Sequence, residues 1–163
     1  GGHRSRPSPV LFVATAEPGD EEMEQRIEQH RRDRLDHWHM LEAPRNVGKA
    51  ILGRAAEDRF EAVLVDCVTL LTSNLLIEAE EALVDAVEAA LMDEVRSLIG
   101  CADELRAPMV VVSNEVGWGL VPPYPCGRAY RDLLGRANQA LAEAADEVIL
   151  LIAGIPRVIK PSG

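Results

Sequence analysis

Aromatic residues make up only 4% of this 163-residue chain. Its core must therefore be filled by Leu, Val, Ile and Ala, as in sheets covered by aliphatic helices. Cysteine is scarce too. Cys67, Cys101 and Cys126 show no CxxC or CxxH spacing, which signals neither a zinc site nor a disulfide framework and points to a reducing, cytoplasmic location. No apolar run approaches the ~18 residues of a membrane span, and Gly1 to Ser8 lacks the apolar stretch of a signal peptide, so no membrane insertion is expected. Positive charge is in deficit, with 17 Lys and Arg against 27 Asp and Glu and a net charge of −10. Phosphate-backbone affinity needs clustered cations, so no nucleic-acid partner is expected. Arg31, Arg32 and Arg34 are the local exception. They form a patch large enough for a nucleotide and too small for a duplex.

What the chain does have is alternation. Val10 to Val13 is an unbroken apolar run suited to a strand buried on both faces. Thr15 to Gly19 supply turn chemistry, and Asp20 can cap a following helix with acids in its first turn and Arg31, Arg32 and Arg34 in its last. A short strand is expected at Trp38 to Leu41 and a helix over Asn46 to Glu57. Ala62 to Val65 reads as a second buried strand, ending in Asp66. Helices follow at Val68 to Leu76 and Ala82 to Leu105, the latter with Leu83, Val87, Leu91, Val95 and Leu98 on one face. Met109 to Val112 is a third buried strand, and Val116 to Pro125 is a Gly- and Pro-rich loop too long for a tight turn. A further helix runs past Tyr130 to Ala145, Val148 to Ala153 is expected as a fourth buried strand, and Val158 to Lys160 as a short antiparallel last one. The fold class is α/β, a mostly parallel doubly wound sheet, and the length suits one domain over residues 1–163. Polar groups at three strand ends, Thr15 with Glu17, Asp66, and Asn114 with Glu115, should gather on one rim, where open α/β sheets bind ligands.

Each of these residues has a plain reading beside the functional one. Met23, Ile27 and His30 fall at helical spacing, so His30 is either a packed imidazole or a nucleophile on the edge of the buried stripe. Asp66 either caps the next helix or holds a metal. Asn114 and Glu115 are turn residues or site residues, and the arginines are a solvated helix end or an anion site. His37 and His39 flank Trp38 without a third ligand nearby in sequence and read as surface residues. Trp118 and Tyr124 either line a broad ligand surface or anchor their loop.

Taken together, the segments VLFVATAEPGDEEMEQRIEQHRRDR, VLVDCVTLLTSNLL, VVVSNEVGWGLVP and YRDLLGRANQALAEAADEVILLIAGIP resemble the bifunctional adenosylcobinamide kinase and adenosylcobinamide-phosphate guanylyltransferase family of cobalamin biosynthesis. Four long segments in matching order, from Pro9 to Lys160, are a specific signal. The resemblance implies a P-loop NTPase-like (RecA-like) sheet and a transferase that uses ATP or GTP to phosphorylate adenosylcobinamide. It further implies that GMP passes from GTP, through a guanylylated histidine, to adenosylcobinamide phosphate. The histidine corresponds to His30. The nucleotide-contacting positions correspond to Gly2, Arg4, Ser5 and Ser8, to Thr15, Ala16 and Glu17, and to Arg31, Arg32, Asp33, Arg34 and Glu42. Asp66 matches a Walker-B-like acid that would position Mg²⁺, Asn114 and Glu115 fall on the substrate side, and a homo-oligomer is implied.

The chain departs from that pattern at its amino terminus. GGHRSRPS keeps Gly1, Gly2, Arg4, Ser5 and Ser8 in register with GGxRSGKS but puts Arg6 at the third Gly and Pro7 at the Lys. Pro7 offers neither an N–H nor a charge to a phosphate. The expectation is a remnant P-loop over residues 1–8, a sheet lacking the first strand and helix and left with an unpaired edge, and weak kinase chemistry. The alternative function is a non-catalytic or kinase-deficient nucleotide-binding or assembly subunit of the same fold.

Overall fold

The computed structural model describes residues 9–17, 38–78 and 84–163. The backbone forms β1 (Val10–Ala14), β2 (Trp38–Glu42), α1 (Val47–Glu57), β3 (Ala62–Asp66), α2 (Val68–Glu78), α3 (Val84–Glu104), β4 (Met109–Val112), α4 (Pro125–Ala144), β5 (Val148–Ile152) and β6 (Ile155–Lys160). Strands β1 to β4 make a four-stranded sheet in the order β2-β1-β3-β4, and every pairing in it is parallel. The α/β class and the parallel sheet expected from the apolar runs are therefore what the chain adopts.

Register explains the core. In-register partners on parallel strands project to the same face. Leu11, Val13, Val63 and Val65 form one buried cluster with Val47 and Ile51 of α1, Leu71 of α2, and Leu98 and Cys101 of α3, with Leu41, Met109 and Val111 packed against it. A second cluster joins α2, α3 and α4 through Val68, Leu75, Leu91, Val95, Leu133 and Leu134, and it too meets the sheet at Val111. All these sheet residues are odd-numbered and share one face. The even-numbered face carries Phe12 stacked on Trp38, while Met40, Val110 and Val112 are exposed.

Two close fits fix the helices. A Cβ on Gly48 would lie 2.4 Å from the Ser97 carbonyl oxygen, so α1 and α3 touch at a point only glycine permits. Glu94 of α3 is buried and accepts from the backbone N–H groups of Asn46 and Val47, at 2.5 and 3.1 Å. A carboxylate from one helix thus serves donors at the start of another, where the helix dipole favours it. Replacing Glu94 with Ala is expected to cost about 2 kcal/mol. Thermal unfolding should record this as a fall of about 4–8 °C, whereas an unchanged melting temperature would show that water replaces the cap.

The carboxy-terminal strands differ from expectation. Val148 to Ala153 was expected as a fourth buried strand of the sheet, but β5 pairs antiparallel with β6 in a separate two-stranded sheet, and Leu151 is 67% exposed. The turn shapes the hairpin. Ala153 and Gly154 both have positive φ, 51° and 77°, the left-handed pair that closes a tight hairpin with the twist its strands need. The antiparallel last strand holds, lengthened to Ile155–Lys160. β4 is also less buried than its apolar run implies, with Val110 56% exposed, and among the described residues its outer edge carries no partner strand. Such an edge templates association. Sedimentation velocity should show concentration-dependent self-association that Val110→Lys suppresses, and a wild-type chain whose sedimentation is independent of concentration would exclude this edge as an interface.

Candidate functional site on the carboxyl rim of the sheet

The parallel register brings four strand ends into one row. Ala14 pairs with Glu42 on one side and with Asp66 on the other, and Asp66 pairs with Val112. Glu42 and Asp66 are two strand spacings apart, roughly 10 Å between their backbones, and they project to the same face. Thr15, Ala16 and Glu17 continue from Ala14 beyond that row. The ends of β1, β3 and β4, where the strand-end polar residues were expected to gather, thus share one rim, and Glu42 of β2 joins it.

Thr15 is fully buried and ties β1 to β3 at this level. Its hydroxyl donates to the Cys67 carbonyl at 2.7 Å and accepts from the Cys67 N–H at 2.8 Å, and its own N–H donates to the Asp66 carbonyl at 3.0 Å. What Thr15 brings to the rim is therefore the placement of backbone. Ala16 and Glu17 follow, half-buried, with the Glu17 carboxylate 3.9 Å from Nε of Arg45. Glu42 is exposed at the end of β2, and Asp66 is half-buried at the end of β3, directly before α2.

Asn114 and Glu115 sit at the end of β4 in a hydrogen-bonded turn. Thr69 of α2 donates its hydroxyl to Oδ1 of Asn114 at 2.8 Å and accepts from the Asn114 N–H at 3.1 Å, while Nδ2 of Asn138 donates to the Asn114 carbonyl at 3.0 Å. This links Asn114 to the start of α2, one turn from Asp66. Glu115 accepts from the Gly117 N–H at 2.6 Å and so belongs to the loop that follows. That loop is pinned to α4 by Arg128, which donates to the Pro122 and Pro123 carbonyls, and by Arg131, which donates to the Gly117 carbonyl at 2.7 Å. Trp118 is 75% exposed and Tyr124 62% exposed. The arginines anchor this loop, and its aromatic residues face outward. An open cleft of about 340 Å³ lies between Val121, Arg128, Arg131 and Asp132.

His30, with Arg31, Arg32, Asp33 and Arg34, lies outside the described residues, as do Gly2, Arg4, Ser5 and Ser8. Among the described nucleophile-capable side chains, burial pushes the Cys67 thiol above its ordinary value. Burial, helped by Glu104, pushes Cys101 up to about 11. Neither is a thiolate at neutral pH. Among the described residues no group of three or more His, Cys, Asp or Glu side chains converges to hold a metal ion. The strand-end carboxylate of Asp66 nevertheless suits Mg²⁺, which takes one or two carboxylates and completes its shell with water and substrate phosphates.

Sequence reasoning did not single out Asn74, Arg45, Thr69 or Asn138, which bind the rim together. A buried Asn in the apolar run LLTSNLL was the available signal, since an amide inside such a helix requires partners.

The cobinamide kinase / cobinamide phosphate guanyltransferase family matches residues 3–159 of the chain. The bifunctional adenosylcobalamin biosynthesis protein CobU of Escherichia coli strain K12 is 40% identical, covering 94% of this chain and 87% of its own length. The protein of the same name from Salmonella typhimurium strain LT2 is 40% identical, over 93% and 86%. The bifunctional adenosylcobalamin biosynthesis protein CobP of Pseudomonas aeruginosa PAO1 is 37% identical, over 93% and 82%.

Proposed function

The chain belongs to the cobinamide kinase / cobinamide phosphate guanyltransferase family, a family of transferases, and from that membership we propose that it transfers GMP from GTP to adenosylcobinamide phosphate. The observation that carries the reading is the match over residues 3–159, within which Glu42, Ala14 and Asp66 fall into one register row at the sheet rim. His30 is the nucleophile. Its neutral imidazole attacks the α-phosphorus of GTP, a nitrogen–phosphorus bond forms, the bond to the bridging oxygen breaks, and pyrophosphate leaves with that electron pair. A phosphate oxygen of the second substrate then attacks the same phosphorus and frees the histidine, which divides one difficult transfer into two easier ones.

The other residues of this reading have defined work. Arg31, Arg32 and Arg34 neutralise charge on the phosphoryl oxygens as it develops. Thr15 to Glu17 and Glu42 bound the nucleotide from the ends of β1 and β2. Asp66 would hold Mg²⁺, which when bound with the nucleotide supplies charge neutralisation at the phosphates. Kinase chemistry with ATP or GTP is the second activity of the reading, and it depends on residues 1–8. The oligomer and the cytoplasmic location belong to the same proposal.

GTP binding tests it directly. GTP with Mg²⁺ at about a hundred times its dissociation constant should stabilise the fold by about 2.7 kcal/mol. At this chain length, that is a rise in melting temperature of roughly 5–10 °C. Duplex DNA at physiological salt should produce no shift, as the net charge of −10 requires. A chain that millimolar GTP leaves unshifted, or that DNA stabilises in a salt-dependent way, has another function.

A further inference from the structure

One polar side chain in the interior connects two of the rim loops. Asn74 lies in the body of α2 and is only 6% exposed. Its Nδ2 donates to the Thr15 carbonyl at 2.7 Å, directly beyond β1, and to the Pro44 carbonyl at 3.3 Å, two residues beyond β2. The Asn74 backbone carbonyl in turn accepts from Nη2 of Arg45 at 2.7 Å, and Nε of Arg45 faces the Glu17 carboxylate. One residue of α2 therefore sets the separation of the segments Thr15–Glu17 and Pro44–Arg45, and Arg45 passes that placement on to Glu17. Burying an amide costs free energy unless it is hydrogen-bonded. A helix that needed only to pack could carry Leu here.

We infer that Asn74 is a positioning residue for nucleotide binding, acting through Thr15 and, with Arg45, through Glu17. The inference rests on the transferase reading, since it assigns a purpose to the rim that reading uses. Asn74 touches no substrate. It holds the Thr15 and Pro44 carbonyls on one amide and so fixes the spacing of the segments that follow β1 and β2. The amide is suited to this because it has two donors on one nitrogen for two carbonyl oxygens.

Asn74→Asp is nearly isosteric and inverts the chemistry. Its carboxylate would face two carbonyl oxygens with no donor, so the loops must separate while the apolar packing of α2 is kept. The experiment measures GMP incorporation from GTP as a function of GTP concentration, giving a half-saturating concentration and a maximal rate below the melting temperature of each variant. The expected result is a half-saturating concentration raised about tenfold to a hundredfold, with the maximal rate within about threefold of wild type. A variant with a lower melting temperature but unchanged half-saturation, or one that loses only maximal rate, overturns the inference. Should Asn74→Asp fail to fold, Asn74→Ser decides in its place. Its short hydroxyl cannot donate to both carbonyls and should raise half-saturation in the same direction, while unchanged half-saturation again overturns the inference. A wild-type chain that takes up no GMP defeats the transferase reading itself, and the inference with it. A labelled wild-type chain with unaffected variants defeats the inference alone.

Discussion

Incubation with GTP and Mg²⁺ is expected to add one GMP to the chain, at His30, and His30→Ala is expected to abolish the adduct. A phosphoramidate is labile in acid and stable in base, so the bond type can be read from the loss of the added mass after treatment with each. His30 is proposed because the RIEQHRRD segment that holds it resembles the segment of the family's guanylylated histidine. An imidazole is a competent nucleophile at neutral pH, and Arg31, Arg32 and Arg34, within four residues of it in the chain, are cations that would meet the charge of a leaving pyrophosphate. The two buried cysteines and His39 are weaker candidates. Burial keeps Cys67 and Cys101 protonated, and the ring of His39 packs edge-on against Phe60 with centroids 5.4 Å apart. His39→Gln should therefore label as wild type does. An intact mass that still carries GMP on the His30→Ala chain would remove His30 from the mechanism.

The second large effect concerns phosphoryl transfer. Phosphorylation of adenosylcobinamide by this chain is expected to be slower than by a version in which Gly1 to Ser8 is replaced with an intact strand, GGxRSGKS loop and helix, by at least about 10²–10³-fold, the value of a single lost electrostatic donor. Phosphoryl transfer relies on positioning and charge neutralisation, with little covalent chemistry for the protein to perform. A glycine at position 6 frees the backbone to wrap a phosphate, and a lysine at position 7 restores both an N–H and a charge where proline has neither. GMP incorporation at His30 should respond less than the kinase step, which separates the two activities and distinguishes a kinase-deficient transferase from an inert assembly subunit. If the unaltered chain already phosphorylates adenosylcobinamide at an ordinary turnover, the phosphates are held by other groups, with Arg4 and Arg6 the first to substitute.

The sequence by itself determined the parallel sheet and the location of its rim. Val10 to Val13, Ala62 to Val65 and Met109 to Val112 are apolar runs of strand length, each separated from the next by helical periodicity, and that alternation leaves little besides parallel pairing. The polar residues directly after them, Thr15, Asp66 and Asn114, mark the carboxyl ends of strands for the same reason. Pairing of β5 could not be read in this way. VILLI has the same composition whether it joins a parallel sheet or folds back as a hairpin, and the hairpin shows only in the backbone of Ala153 and Gly154 and the pairing with β6. Asn74 and Glu94 were hidden more deeply. Both sit in helices whose periodicity is set by their apolar neighbours, and their partners lie 59 and 47 or 48 residues away in the chain. Periodicity reports which side of a helix is buried, because every residue on that side contributes to it. Only the folded chain decides which carbonyl a single buried amide will meet, because one hydrogen bond across that separation leaves no trace in the spacing of its neighbours.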